Sequence, residues 1–186
     1  MNYLANPRIR HCARVIRAGG VVSYPTEGVW GLGCDPENQH AVETILKLKS
    51  RPVHKGLILI SGRAEDFSFL LKDADVSIQK RVISPTDVAT TWLVEHKGRV
   101  PNFISGDSNL VAIRISSHPV VSALSALAGG AIVSTSANPA GLPSALNSTK
   151  VRHYFRNQAI CISPGAIAAN RGASRIINAA SGERLR

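Results

Sequence analysis

"VVSYPTEGVWGLGCD", residues 21–35, is the stretch whose reading organises the rest of the chain. With Gly20 before it, "GVVSY" has the apolar and aromatic content of a strand, and Pro25 closes that strand by removing an N–H. A hydroxyl, a carboxylate and three glycines spaced G-x-x-G-x-G follow. Asp35-Pro36 then has the form of a helix N-cap with proline in the first turn. The glycine spacing matches neither the dinucleotide fingerprint G-x-G-x-x-G nor the phosphate loop G-x-x-x-x-G-K-[ST]. Glycine nevertheless lets backbone N–H groups approach a ligand closely, and loops at strand ends are where α/β sheets bind ligands. The other reading of the same residues is a tight turn in which Trp30 fills the core.

Outward from this stretch, helix and strand patterns alternate. "HCARVIRA" (11–18) reads as a helix stopped by Gly19-Gly20, and Ala41, Val42, Ile45, Leu46 and Leu48 recur at helical spacing up to Lys49. "GLILIS" (56–61) is an unbroken apolar run that suits a strand covered on both faces. Helices are expected over 64–72, 75–83, "HPVVSALSALAGG" up to Gly129-Gly130, and near 148–156. Further strands are expected at 89–95, 110–116, 131–135, 158–163 and 174–178. With no internal repeat and no low-complexity linker, the pattern predicts an α/β fold: a single domain over 1–186, with helices packed on a twisted, mixed sheet.

Composition narrows the function classes. At 186 residues and 44% hydrophobic, the chain can bury one substantial core. No apolar run approaches the roughly 18 residues of a membrane span, and the first twenty residues mix apolar and basic side chains instead of forming a signal-peptide core. Cys12, Cys34 and Cys161 are odd in number and widely spaced, which indicates neither a disulfide framework nor a zinc site and favours a reducing cytoplasm. Lys and Arg number 22 against 12 Asp and Glu, and no acidic residue lies between Asp107 and Glu183. Such a field attracts polyanions, nucleotides and RNA among them.

Three further clusters carry chemistry. In "LKLKSRPVHKG" (46–56), Lys47, Lys49, Arg51 and Lys55 surround the end of one helix and the entry to a buried strand. Cations at a helix C-terminus are favourable by ~0.3–1 kcal/mol, which accounts for two of them; Arg51 and Lys55 lie beyond the helix end, where a forked donor and a point charge suit a polyphosphate. In "VSTSANPAG" (133–141), Ser134, Thr135, Ser136 and Asn138 offer polar donors, though such sequences are also ordinary turn chemistry. Arg114 interrupts the apolar strand "LVAIRIS", which calls for an anionic ligand or a structural salt bridge.

Taken in order, "PTEGVWGLGCDPEN", "KSR" with "KGLILI", "VAIR" with "HP", "STSANPAG" and "GASRII" resemble the YrdC-like family, the threonylcarbamoyl-AMP synthases of bacteria. The resemblance is collinear over nearly the whole chain. Two departures stand out: Asp87-Val88-Ala89 replaces the family's Pro-Gly-Pro segment ahead of Thr91, and Ala140 replaces a hydroxyl residue. The resemblance implies a YrdC-like fold with a basic concave cleft, and formation of L-threonylcarbamoyl-adenylate and pyrophosphate from L-threonine, bicarbonate and ATP. The product serves threonylcarbamoyladenosine modification of tRNA next to the anticodon, and is accepted by tRNA-modification proteins of the TsaD, TsaB and TsaE type.

Carried over by residue, Thr26, Arg114 and Ser174 bind threonine. Lys49, Arg51, Lys55, Ser136, Asn138 and, more weakly, Ser144 bind ATP. Lys49 and Arg51 carry the catalytic role; both are expected to be exposed to the cleft, so that losing either leaves the fold intact. The glycines are expected to let main chain pack around the threonine and its carbamate, with Trp30 and the 28–33 backbone forming a niche for the threonine methyl. Glu27 is the nearest carboxylate, as a loop pin if not near the metal. No protein metal site is expected: Mg²⁺ is held mainly by ATP phosphates and water. A basic surface also suits a double-stranded RNA-binding or ribosome-maturation factor without catalysis, or weak tRNA binding alongside catalysis. Aromatic residues, at 5%, supply few platforms for stacking single-stranded bases.

Overall fold

The computed structural model describes residues 2–168 and 172–186. After a 3-10 turn at Tyr3–Ala5 comes α1 (Pro7–Arg17), where the Asn6 side chain accepts from Arg8 N at 2.9 Å and proline occupies the first turn. Ile9, Cys12, Ala13 and Ile16, one helical stripe, are its buried residues. Strand β1 (Val21–Pro25) follows, buried along its whole length. The glycine-rich stretch then departs from the sequence expectation of a loop. Residues 26–29 turn, and β2 (Trp30–Gly33) returns antiparallel to β1 with Tyr24 opposite Gly31. Glycine is a poor strand former in isolation, but here cross-strand packing decides. A Cβ on Gly33 would lie 2.3 Å from the Val133 carbonyl and 2.8 Å from the Tyr24 ring.

Helix α2 (Gln39–Lys49) is capped by Asn38, whose Oδ1 accepts from Ala41 N, so the cap falls three residues beyond Asp35. It ends at Ser50 in the left-handed region, φ 49°. The remaining elements are β3 (Ile58–Ser61), α3 (Ser68–Leu71), α4 (Val76–Ile83), β4 (Thr90–Glu95), α5 (Asn102–Ser105), β5 (Leu110–Ile115), α6 (Pro119–Ala128), β6 (Ile132–Ser136), α7 (Ser148–Tyr154), β7 (Ile160–Ile162) and β8 (Arg175–Asn178). Four-residue α5 has no sequence signal, because one turn is too short to show a period. Among the described residues, no helix is long and apolar enough to cross a membrane.

Eight strands form one mixed sheet in the order β7-β1-β2-β6-β3-β5-β4-β8. The pairs β1·β7, β3·β5 and β4·β8 are parallel and the others antiparallel. Side-chain alternation divides the sheet into two unlike faces. Trp30, Leu32, Leu57, Leu59, Trp92, Val94, Val111, Ile113 and Val133 pack into one core with residues of α2, α3, α4, α5 and α7. On the opposite face Val22, Tyr24, Ile60 and Ile132 pack with α1 and α6, joined at the edge by Tyr3 and Cys161. The rest of that face, from β2 across to β8, is the floor of a cleft.

Candidate active site

The cleft floor follows from strand register. Ser134, Ile58, Ala112 and Leu93 are direct cross-strand neighbours on β6, β3, β5 and β4, and all four line the cleft. Small and aliphatic side chains there leave a cavity of about 520 Å³, within the range that holds a nucleotide-sized ligand. Arg51, Lys55, Arg114 and Arg186 supply its cations, His54 lines it as well, and none of its described lining residues is Asp or Glu.

Arg51 is delivered by the end of α2. The left-handed Ser50 turns the chain so that Arg51 N donates to Leu46 O at 2.9 Å. The Arg51 side chain then holds its own strap: Nε donates to Gly56 O at 3.1 Å, and Nη2 to Gly56 O at 2.8 Å and Lys55 O at 3.1 Å. Burial lowers the Arg51 pKa from its ordinary value; a guanidinium stays protonated in proteins. Lys55 and His54 follow on the same strap and are exposed.

Lys49 departs from expectation. It is only 4% exposed and does not line the cleft. Its Nζ donates to the Ser136 carbonyl and, at 2.8 Å, to that of Asn138, while its own carbonyl accepts from Ala140 N at 2.9 Å. Burial, and after it the nearby Arg51 charge, brings its pKa down to about 8. The physical reason is the register of α2: the helix ends beneath the β6 turn, whose otherwise unmet carbonyls take up the ammonium donors. Lys49 is thus tied to the 136–140 turn, and the expectation that its loss leaves the fold intact is withdrawn.

That turn presents Ser136 and Ser144 to the cleft. The Asn138 side chain is held within the turn. Its Nδ2 donates to Pro139 O at 3.0 Å and Leu142 O at 2.8 Å, and its Oδ1 accepts from Ser144 Oγ at 3.4 Å. Asn138 therefore shapes the loop that carries Ser144 and is not among the cleft-lining residues. Ala140 is exposed.

At the other end of the cleft, Arg114 is ion-paired with Glu27. The Glu27 carboxylate also accepts from Ser116 Oγ at 2.7 Å and Ser117 N at 3.1 Å. Burial pushes the Glu27 carboxyl up, but Arg114 and the Ser116 hydroxyl outweigh it, and the net value falls below the ordinary one. The salt-bridge reading of Arg114 and the loop-pin reading of Glu27 therefore hold in this structure. Arg114 nevertheless lines the cleft, and its Nε is buried without a protein partner, an unmet donor that favours an acceptor nearby. Thr26, 3% exposed, reaches the cleft beside this pair with its Oγ1 donating to Val29 O at 2.8 Å. Ser174, 5% exposed, hydrogen-bonds Thr91 at 2.8 Å between the hydroxyls.

The glycines and Trp30 act differently from their expected roles. Trp30 is 1% exposed in the core and does not line the cleft, so it forms no niche there; the tight-turn reading of this side chain is the one observed. Of the three glycines only Gly31 lines the cleft. The space a Gly28 side chain would need is filled by Gly172, whose carbonyl oxygen would lie 1.8 Å from the added Cβ. The bare backbone at Gly28 thus lets two protein segments touch and brings the chain leading to Ser174 against the 26–29 turn. Asp87, Val88 and Ala89 do not line the cleft.

Sequence reading missed His54, Ser108, Leu185 and Arg186 as cleft-lining residues. His54 lies inside a stretch already singled out for its cations. Arg186 had no local signal: the last residues run back along β8, with Arg184 opposite Ile177, and the Arg186 guanidinium donates to Ser174 O at 3.0 and 3.2 Å.

Comparison with known proteins gives a consistent result. Residues 14–186 match the Sua5/YciO/YrdC family model, described as "Telomere recombination". The threonylcarbamoyl-AMP synthase of Saccharophagus degradans is 49% identical over 166 residues, 89% of this chain and 87% of that protein. The enzyme of the same name from Stutzerimonas stutzeri is 48% identical over 179 residues, 96% of each chain. Among solved structures, P. abyssi Sua5 complexed with L-threonine superposes with a TM-score of 0.78 at 28% identity, covering 91% of this chain and 50% of that one. This chain therefore spans about half the length of that protein. E. coli YciO superposes with a TM-score of 0.79 at 20% identity over 96% of this chain and 87% of its own, a likeness of fold.

Proposed function

The chain belongs to the Sua5/YciO/YrdC family, and on that premise we propose that it is a threonylcarbamoyl-AMP synthase, a nucleotidyltransferase making L-threonylcarbamoyl-adenylate and pyrophosphate from L-threonine, bicarbonate and ATP. The observation that carries this reading is a cleft with Arg51 and Lys55 at one part of its wall, Thr26, Arg114 and Ser174 at another, and no Asp or Glu among its described lining residues.

The threonine amine takes up CO₂ or bicarbonate to give a carbamate. A carbamate oxygen then attacks the α-phosphorus of ATP, and the bond to pyrophosphate breaks. No side-chain nucleophile is needed. The protein's work is to bring two anions together and keep water from the carbamate, by fixed positive charge and oriented donors. Arg51 and Lys55 meet the triphosphate, while Ser136 and Ser144 contact the nucleotide. Lys49 and Asn138 act through the 136–144 turn, Lys49 also adding positive charge beneath it. Thr26, Arg114 and Ser174 hold threonine, with the Arg114 fork oriented by Glu27. Mg²⁺ arrives on ATP, held by its phosphates and water and offsetting their charge. The adenylate passes to cytoplasmic tRNA-modification proteins that install threonylcarbamoyladenosine.

The test is amino-acid-dependent pyrophosphate release at saturating ATP and bicarbonate, without RNA. Threonine is expected to exceed serine by roughly tenfold, because one methyl against Val29 and the Gly31 backbone, the part of the 28–33 stretch that lines the cleft, is worth ~1–3 kcal/mol, and valine to give almost none, because it leaves buried polar groups unpaired. Release with valine as fast as with threonine removes the assignment of Thr26 and Ser174. No release with any amino acid favours a pure RNA-binding role.

A further inference from the structure

Two cysteines that are 149 positions apart in the chain meet on the side of the sheet covered by α1 and α6. Cys12 is 1% exposed on the inner stripe of α1, and Cys161 lies on edge strand β7, opposite Val22 of β1. Their sulfurs are 3.3 Å apart. Cys161 is partly exposed, and both thiols are free. Cys34 is buried in the core on the other face of the sheet, away from this pair. Sequence spacing gave no hint of the pairing, because a parallel edge strand close to the C-terminus is laid beside β1 only by the tertiary fold.

We propose that Cys12 and Cys161 are a reversible redox-modification site, oxidised by hydrogen peroxide to a disulfide that joins α1 to β7. The sulfurs need close by only about 1 Å to reach a bond of ~2.05 Å. Reaction begins at Cys161, the accessible member. Burial pushes the Cys12 thiol up to about 12, with the hydrogen bond to Cys161 adding to it, while the Arg8 charge one turn away acts in the other direction. The Cys161 thiolate attacks one peroxide oxygen; the O–O bond breaks, and the departing oxygen leaves as water after taking up a proton. Cys161 is then a sulfenic acid. The Cys12 sulfur, giving up its proton as it attacks, forms the S–S bond while the S–O bond breaks and a second water leaves. Across the two steps each sulfur loses one electron and the peroxide gains two. A small thiol reductant reverses the change by exchange.

The position gives the bond a structural consequence. β7 opens the segment whose Ser163 N donates to Ser23 O at 2.9 Å, whose Ala166 carbonyl contacts His118 Nε2 at 3.0 Å, and whose Ala168 N donates to Thr26 O at 3.4 Å. The cross-link therefore fastens the first helix to the root of a segment that passes Thr26 on its way to Ser174.

The experiment treats the full chain with a small excess of hydrogen peroxide, removes the peroxide with catalase, then denatures and alkylates the protein for thiol counting and peptide mass mapping. The three free thiols are expected to fall to one, Cys34, with a Cys12–Cys161 linked peptide recovered and three thiols restored by dithiothreitol. The oxidised protein is expected to melt roughly 5–10 °C higher. Cys161→Ser is expected to retain both remaining thiols, and Cys12→Ala to leave Cys161 as sulfenic or more highly oxidised acid. Three thiols surviving in the parent, a link involving Cys34, or Cys161 oxidation with Cys12 still free each overturns the proposal. Thiol counting does not depend on the reaction assigned to the cleft.

Discussion

Loss of the Lys49 side chain leaves the carbonyls of Ser136 and Asn138 without their donor, whereas loss of the Arg51 side chain removes charge from the cleft wall. Lys49→Ala is therefore expected to destabilise the fold by ~1–3 kcal/mol and to lower the melting temperature by several degrees, as well as abolishing pyrophosphate release. Arg51→Ala is expected to lower release by ~100-fold or more with a smaller thermal shift, because phosphate contacts are lost without opening a core cavity. Thermal melts alongside turnover separate the two; equal melting shifts would contradict the different placement. Lys49 also has a pH signature. The unfolded chain keeps this proton to about 10.5 and the folded chain only to about 8, so stability of the parent relative to Lys49→Met should rise across that window, read by urea unfolding.

Glu27 gives a pH dependence of the same sign in an acid window, since its pKa too is lowered by folding. With its side chain 14% exposed and that of Arg114 9%, Glu27→Gln leaves a buried guanidinium without its counter-charge, a loss of ~3–5 kcal/mol near neutrality. Because the folded carboxyl titrates below its ordinary value of 4.5, this stabilisation is complete above that value and is lost as pH falls through the folded one. Denaturant unfolding at pH 7 and in acid should show the parent and Glu27→Gln converging in acid. A constant gap would remove the ion pair as the cause. The pair was only half legible in sequence: an arginine in an apolar strand announced that it needed a partner, but which carboxylate or ligand met it depended on bringing residue 27 beside residue 114.

At the scale of elements, most of the sheet could be read from β-branched runs and glycine punctuation, and α1, α2 and α6 from their periodic apolar stripes. β2 could not. Its glycines contradict strand propensity, and it forms because Gly33 is squeezed between the Val133 carbonyl and Tyr24 while Gly31 pairs with Ser136. The turn before it gives a sharp test. Gly28→Ala places a methyl against the Gly172 backbone, which must move, and Ser174 lies two residues beyond Gly172. This variant is expected to raise the KM for threonine more than that for ATP, since Thr26 and Ser174 lie beside the disturbed contact and Arg51 does not. Steady-state kinetics with each substrate varied would show it, and unchanged constants for both would mean that the 28–172 contact has no bearing on the site.

For the whole molecule, two unlike sheet faces matter most. One is covered by helices across its width, and the other only where α1 and α6 lie, so the uncovered floor becomes a cleft. The net charge of +10 surrounds that cleft with an attractive field for polyanions. Any RNA affinity is expected to be weak and indifferent to sequence, with log K falling linearly in log salt concentration, because phosphate contacts of this kind release counterions. Binding curves on two unrelated duplexes at several salt concentrations test this. A salt-insensitive preference for one sequence would require a base-reading element outside the cleft described above.

The amino-acid sequence by itself determined the α/β class, most helices and strands, the basic character and the motif order that points to the family, because each is written in local periodicity, composition or short spacing. Tertiary structure alone decided that Lys49 turns inward to the carbonyls beneath β6, that Glu27 rather than solvent meets Arg114, that Arg186 returns to the cleft, and that Cys12 faces Cys161. Each of these is a contact between residues far apart in the chain. Local propensity carries no information about such a meeting; it arises when strand register and sheet order bring the two segments together and their buried polar groups or sulfurs must find partners.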